Sequence, residues 1–399
     1  MSYKKTTTWN LSLPSALLLM APFDILASLA MDIYLPVVPA MPGIRDTTAS
    51  TIQLTLSLYM VMLGAGQVLF GPLSDRIGRR PVLIGGAVLF LVTSLALAAA
   101  SSAAAFVVMR LLQAAGASAA LVATFATVRD VYAERPEGAV IYGLFGSMLA
   151  FVPALGPIAG ALIAEHLGWR AIFATLGLLA AAALAHALPR WKETRSAAGP
   201  VVAPTFGTIL RSPDFWTYTL GFSAAMGAFF VFFSTAPRVL IGRAGFSEVG
   251  FSVVFATAAL VMILTTRFTK RFVSRWGIAG CVARGMAMLL VGAALLAAGQ
   301  LLWQPSFSTF VLPMWLIAVG IVFTSSVAAN GALHAFGDAA GTAVALYFCV
   351  ESLIVGAVGT VFVVALGGDT AWPLAGYCAF MALVTLAALG IPRRRTGAK

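Results

Sequence analysis

The chain has 399 residues, 60% of them hydrophobic and only 10% charged, with a mean hydropathy of +0.96. So little charge over that length excludes an ordinary soluble domain. The formal net charge of +11 is scattered over many short segments, which points to membrane topology and contact with anionic headgroups and argues against nucleic-acid binding.

The first apolar run, 14–35, carries the most informative residues, Asp24 and Asp32. An ionisable group at bilayer depth costs roughly 2.5–3.5 kcal/mol even on the lenient insertion scale, so it is rarely found without an ion, proton or substrate to handle. Asp24 lies ~15 Å into a ~30 Å hydrocarbon layer and Asp32 nearer the far end. Eight residues turn a helix about 80° beyond two full turns, so both acids can face one side and line one cavity. Lys4 and Lys5 ahead of the run imitate a signal peptide. A central aspartate, the length of the run, and Pro36 and Pro39 beyond it argue against cleavage.

Eleven further apolar runs follow, near 51–70, 82–100, 104–127, 139–164, 169–188, 215–236, 248–266, 279–302, 307–329, 339–366 and 371–391. The expected fold is therefore an all-α membrane protein with twelve transmembrane helices. If the N-terminus is cytoplasmic, twenty Lys and Arg residues fall on that side, and only Arg45, Arg170, Arg238 and Arg243 on the other. That bias places both termini in the cytoplasm. The longest polar break, 189–213, divides the chain into an N-terminal bundle of six helices, 1–188, a cytoplasmic linker, and a C-terminal bundle of six, 214–399. Leu167-Gly168-Trp169 echoes Asp369-Thr370-Ala371-Trp372, and a basic loop follows the second span of each half, at 71–80 and 267–277. Two parallel repeats predict two bundles with a shared central site.

Three segments carry recognisable patterns. Gly71-Pro-Leu-Ser-Asp75-Arg76-Ile-Gly78-Arg79-Arg80 joins spans two and three. Its glycines suit a tight reversal, Asp75 can accept from arginines or a helix N-terminus, and the arginines anchor at headgroups. Span four contains Arg110-Leu-Leu-Gln113-Ala-Ala-Gly116. Arg110 is the one basic residue placed well inside the hydrocarbon, ~9 Å deep, nearer the level of Asp32 than of Asp24. A buried guanidinium needs a carboxylate or several acceptors, so an Asp32–Arg110 pair is expected first and Asp24–Arg110 second. Span five holds Pro153-Ala-Leu-Gly156-Pro157-Ile-Ala-Gly160, where proline bends a helix and glycine admits close neighbours.

Together these segments resemble the major facilitator superfamily. The resemblance implies that Gly71, Asp75, Arg76, Gly78 and Arg79 form a cytoplasmic latch, and that Pro153, Gly156, Pro157 and Gly160 mark the antiporters within the group. The second-half copy of the loop lacks the aspartate and most glycines, so no latch is assigned there. Across nearly the whole chain the similarity is to bacterial phenicol exporters of the bicyclomycin-resistance subgroup, carried by Ser28-Leu-Ala-Met-Asp32-Ile-Tyr-Leu-Pro36, Thr124-Phe-Ala-Thr-Val-Arg129-Asp130, Phe230 to Pro237 and Asn330-Gly-Ala-Leu333. It implies a monomer in the bacterial inner membrane that exports chloramphenicol and florfenicol in exchange for protons. A broad multidrug antiporter and a proton-coupled nutrient importer are the alternatives. Asp24, Asp32, Arg110 and Glu351 are then the candidates for proton coupling and substrate binding. Met31, Tyr59, Gln113, Phe229 and Phe233 are the candidates for lining the cavity. Glu351 departs from the pattern, standing where a neutral polar residue is expected.

Cys281, Cys349 and Cys378 form no CxxC pattern, and the three histidines lie near span ends and form no metal-ligand cluster. No metal or cofactor is expected. No nucleophile, base and orienter occur together, which argues against an enzyme.

Overall fold

The computed structural model describes residues 11–132, 136–195, 206–336 and 340–390, and its regular elements there are all helical. Twelve long helices follow one another: α1 Leu13–Asp32, α2 Ala49–Ile77, α3 Arg79–Ala99, α4 Ala103–Tyr132, α5 Pro136–Leu167, α6 Trp169–Arg190, α7 Pro213–Pro237, α8 Glu248–Thr266, α9 Thr269–Leu302, α10 Leu312–Leu333, α11 Ala340–Ala365 and α12 Trp372–Gly390. Among the described residues eleven helical stretches are long and apolar enough to cross a membrane, and α5 contributes a shorter apolar stretch, Phe151–Leu167. Helices are what such apolar sequences must form, because hydrocarbon offers the backbone no other hydrogen-bond partner. Leu69, Leu178 and Leu383 stand exposed on the helices, as lipid-facing side chains do.

Two compact units result. The first comprises Met1–Val202 with Ala236–Ala259. Its α3 and α4 approach backbone to backbone: a methyl group on Gly86 would lie 2.8 Å from the Gly116 carbonyl, and one on Gly116 2.6 Å from the Phe90 nitrogen. The second comprises Ala203–Thr235 with Leu260–Lys399. There α9 and α10 meet in the same way, with Gly285 and Gly320 each 2.7 Å from the other's carbonyl when given a methyl group. Small-residue contacts of this kind hold membrane helices by dispersion where no hydrophobic effect operates. The third and fourth helices of each half thus share one packing device.

The turns repeat as well. Gly78 has φ 108° ahead of α3, and Gly277 has φ 65° at a kink inside α9. Gly168 has φ 81° ahead of α6, and Gly367 φ 76° ahead of α12. Two expectations change. Helix α2 continues through Gly71 and Pro72 to Ile77, so Gly71 takes no part in a reversal and Gly78 alone makes it. Helix α9 starts at Thr269, ten residues before the apolar run, because its basic first turns stay helical up to the Gly277 kink.

Candidate transport site

Both α1 acids are buried, Asp24 at 3% exposure and Asp32 at 6%. Helix α1 is gripped between them. Tyr59 Oη, from α2, donates to the Ala27 carbonyl at 2.7 Å, and Arg110 Nη1, from α4, donates to the Ala30 carbonyl at 3.0 Å. Arg110 is fully buried, and Nη1 also donates to Gln113 Oε1 at 2.7 Å. Gln113 Nε2 donates to Ser94 Oγ at 2.8 Å, and Ser94 Oγ to the Phe90 carbonyl at 2.6 Å, which fixes the amide.

The expected pairs with Asp32 or Asp24 do not form: Arg110 makes no ion pair among the described residues, and its Nε and Nη2 have no hydrogen-bond partner. Aromatic rings take the carboxylate's place. The guanidinium carbon lies 4.6 Å from the Tyr59 ring centroid, 5.3 Å from Tyr34 and 5.9 Å from Phe173. Such contacts are worth ~2 kcal/mol or more each when desolvated. Tyr59 is within electrostatic reach of both Arg110 and Asp32. Beside α1 a void of about 10 Å³, lined by Phe23, Leu26, Ala27, Phe90, Ala117 and Ala120, has room for a water at most.

The α5 segment packs directly on the second acid. A methyl group on Gly156 would come within 2.9 Å of Asp32 Cβ, and one on Gly160 would collide with the Ile33 carbonyl. Pro153 and Pro157 both lie inside α5. Ser252 Oγ, at the start of α8, donates to the Pro157 carbonyl at 3.0 Å, and Arg238 donates to Gln53 Oε1 of α2 at 3.2 Å. Met31 is partly exposed.

In the second unit Glu351 is buried and accepts a hydrogen bond from Ser352 Oγ at 3.0 Å. Tyr347 and Tyr377 lie within its electrostatic reach, and Tyr347 packs on Phe222 at 5.1 Å between ring centroids. Tyr377 donates to the Ser223 carbonyl at 2.8 Å. Phe233 is buried on α7 and Phe229 partly so.

The loop between α2 and α3 closes a denser network than the sequence suggests. The buried Arg79 donates to Asp75 Oδ1 at 2.5 Å, to Ser74 Oγ at 2.8 Å and to Asp130 Oδ2 of α4 at 2.8 Å. Asp75 therefore pairs with an arginine, and the α3 N-terminus is capped by Glu193, which sequence reasoning missed. Glu193 accepts from the backbone nitrogens of Arg79 at 2.8 Å, Arg80 at 3.1 Å, Thr194 at 3.1 Å and Arg195 at 2.9 Å. Burial pushes its carboxyl up, but the four donors outweigh burial and hold it below the usual range. Arg195 adds a bond to the Arg76 carbonyl, and Trp191 tucks edge-on against Phe23, next to Asp24.

A polytopic helical bundle with acids and a caged arginine buried at membrane depth is the build of a secondary transporter. The Major Facilitator Superfamily model matches residues 23–360, and the chain belongs to that family. It is 51% identical to the chloramphenicol resistance protein of Pseudomonas aeruginosa over 96% of this chain and 91% of that one. It is 28% identical to the multidrug resistance protein MdtL of Escherichia coli O157:H7 over 78% of this chain and 79% of that one. The crystal structure of an auto-inhibited POT family peptide transporter has the same fold, with a TM-score of 0.74, 16% identity and coverage of 97% and 98% of the two chains.

Proposed function

We propose that this protein exports phenicol antibiotics, chloramphenicol and florfenicol, across the bacterial inner membrane in exchange for protons. The observation that carries the reading is the pair of buried α1 acids, neither ion-paired with Arg110, in a chain half identical to a chloramphenicol resistance protein. Asp24 or Asp32 takes up a proton when the site opens outward, and that proton displaces the drug. When the site opens inward the proton leaves to the cytoplasm and the drug binds. Proton and drug compete for one state of the site, which is what couples them.

The energetics suffice. One proton moving down ~100 mV supplies ~2.3 kcal/mol, enough to sustain a drug gradient of roughly 40-fold. Phenicols carry no charge, so one-for-one exchange moves net charge and slows when the voltage is dissipated. The positive-inside bias supports cytoplasmic termini, and the repeated glycine turns support halves at 1–188 and 214–399 joined by the cytoplasmic linker 189–213. The protein acts as a monomer within the bilayer and engages no nucleic acid.

The test is growth inhibition by chloramphenicol and florfenicol in a drug-sensitive bacterium expressing the chain, with and without Asp24→Asn or Asp32→Asn. Resistance to phenicols that disappears in a variant still present in the membrane is the expected result. Resistance extending to bulky lipophilic cations would favour a multidrug exporter, in line with the similarity to the multidrug resistance protein MdtL. Resistance to none of them would refute the proposal.

A further inference from the structure

Two of the four arginines assigned to the outer side meet on one aromatic ring at the end of the first unit away from the Arg79 network. Arg45, in the α1–α2 connection, has its guanidinium carbon 4.4 Å from the Trp169 ring centroid and 4.8 Å from that of Phe106. Arg170, next to Trp169 on α6, has its own 4.5 Å from the same indole. Arg45 Nη1 donates to the Ala100 carbonyl at 2.5 Å, in the α3–α4 connection. Its side chain is buried, yet Nε and Nη2 have no hydrogen-bond partner among the described residues. Burial first, then the like charge of Arg170, lowers the Arg45 pKa from its ordinary value.

Among the described residues no acid pairs with either arginine. Asp46 adjoins Arg45 in sequence and Glu165 precedes α6, but neither forms an ion pair with either arginine among the described residues. His166 uses Nδ1 on the Leu162 carbonyl. The α6 N-terminus opens at the same place. Its N-cap is Gly168, which offers no side chain to the first-turn N–H groups, so the positive end of a 22-residue helix is uncapped there. Two guanidiniums, an uncapped helix end and buried donors without acceptors together make a site for an oxyanion.

The surroundings indicate which oxyanion. Val37, Ala49, Ala99 and Trp169 are the span ends on this side, so the pair lies at the level where hydrocarbon gives way to headgroups. Leu167 and Ile44 stand exposed beside it, at 73% and 44%, as apolar side chains that reach acyl chains do. Trp169 occupies the interfacial belt that indoles favour. We infer that Arg45 and Arg170, stacked on Trp169 at the start of α6, bind a phosphate-bearing anion, the phosphodiester of an acidic phospholipid headgroup. Arg170, exposed, makes the first contact, and Arg45 supplies the inner charge. The bound lipid neutralises the pair and ties the α1–α2, α3–α4 and α5–α6 connections together.

The test uses the purified full-length protein in neutral detergent, titrated with short-chain phosphatidylglycerol, matched phosphatidylcholine and inorganic phosphate, and followed by thermal unfolding. Phosphatidylglycerol raises the Tm saturably by several degrees in the wild type, and Arg170→Gln, an exposed position that leaves folding intact, weakens half-saturation about tenfold. Arg190→Gln, at the other end of α6, retains the response, and phosphatidylcholine has no effect on either protein. An Arg170-dependent shift with inorganic phosphate alone supports the anion site and assigns it to free phosphate. Equal responses of wild type and Arg170→Gln to phosphatidylglycerol, or an equal shift with phosphatidylcholine, would overturn the inference.

Discussion

Gly156 of α5 lies against Asp32 of α1 so closely that a single added methyl group would sit 2.9 Å from the aspartate Cβ. The contact is to Cβ and backbone, which cannot swing aside as a flexible side-chain tip can. Gly156→Ala should push α5 off α1 and cost about 1–3 kcal/mol of overpacking. Export should fall sharply in cells, with a lower Tm for the purified protein. Wild-type resistance with an unchanged Tm would show that the close approach has no role.

Asp32→Asn and Asp24→Asn should each keep the protein in the membrane. At least one should abolish proton-driven chloramphenicol uptake into inside-out vesicles and weaken drug binding to the purified protein, because the neutral amide stands in for the protonated acid that releases the drug. Pumping lost together with the pH dependence of drug binding is the signature of a lost proton site. Full uptake in both variants would remove the coupling mechanism.

Arg110→Lys should fail despite keeping the charge. An ammonium on a flexible stem cannot hold the Ala30 carbonyl and Gln113 Oε1 while also placing its charge over the Tyr59 ring. Hydrogen bonds from charged donors are worth about 1.5–3 kcal/mol each, so a Tm loss of several degrees is expected together with loss of export. A lysine variant matching wild type in both would mean that charge alone suffices.

Glu193 makes a pH prediction with a definite sign. Its carboxyl titrates below the usual range in the folded protein, so its contribution is present above the unfolded value of about 4.3 and is lost as pH falls through the folded value. The side chain is exposed, so solvent screening keeps the effect small. Glu193→Ala should remove the cap on α3 and cost about 1 kcal/mol at neutral pH. It should also flatten the acid limb of the Tm–pH profile; an unchanged limb would place acid sensitivity elsewhere.

Glu351→Gln should retain resistance within twofold, because the amide oxygen can still accept from Ser352 Oγ. Loss of export by this variant would make Glu351 a third working acid.

The apolar runs made the helices and their number legible, since a bilayer-length stretch admits few alternatives. Asp24, Asp32, Arg110 and Glu351 were legible for the converse reason: each interrupts such a stretch. The partner of Arg110 was not. Depth along a helix follows from residue counting, but which neighbour a side chain meets depends on helix rotation and crossing, and the acceptors proved to be a main-chain carbonyl, the Gln113 amide oxygen and π-faces. Asp130 and Glu193 were invisible as partners of Arg79 because those contacts span 51 and 114 residues. Gly71 was misassigned because Gly-Pro ends most helices in water, whereas membrane helices carry proline within them.

The two grips on α1, Tyr59 on the Ala27 carbonyl and Arg110 on the Ala30 carbonyl, are three residues apart and so share a face. Side-chain donors that hold main-chain oxygens permit neither sliding nor twisting without breaking. On the proposed mechanism, a change of charge at Asp24 or Asp32 would be felt as torque on α2 and α4, and the helix bearing the acids would behave as an axle keyed to its neighbours. Freeing one key, as in Tyr59→Phe, would leave each acid able to titrate while the drive slips: protons would cross without drug, and the cell would spend its membrane potential for no resistance.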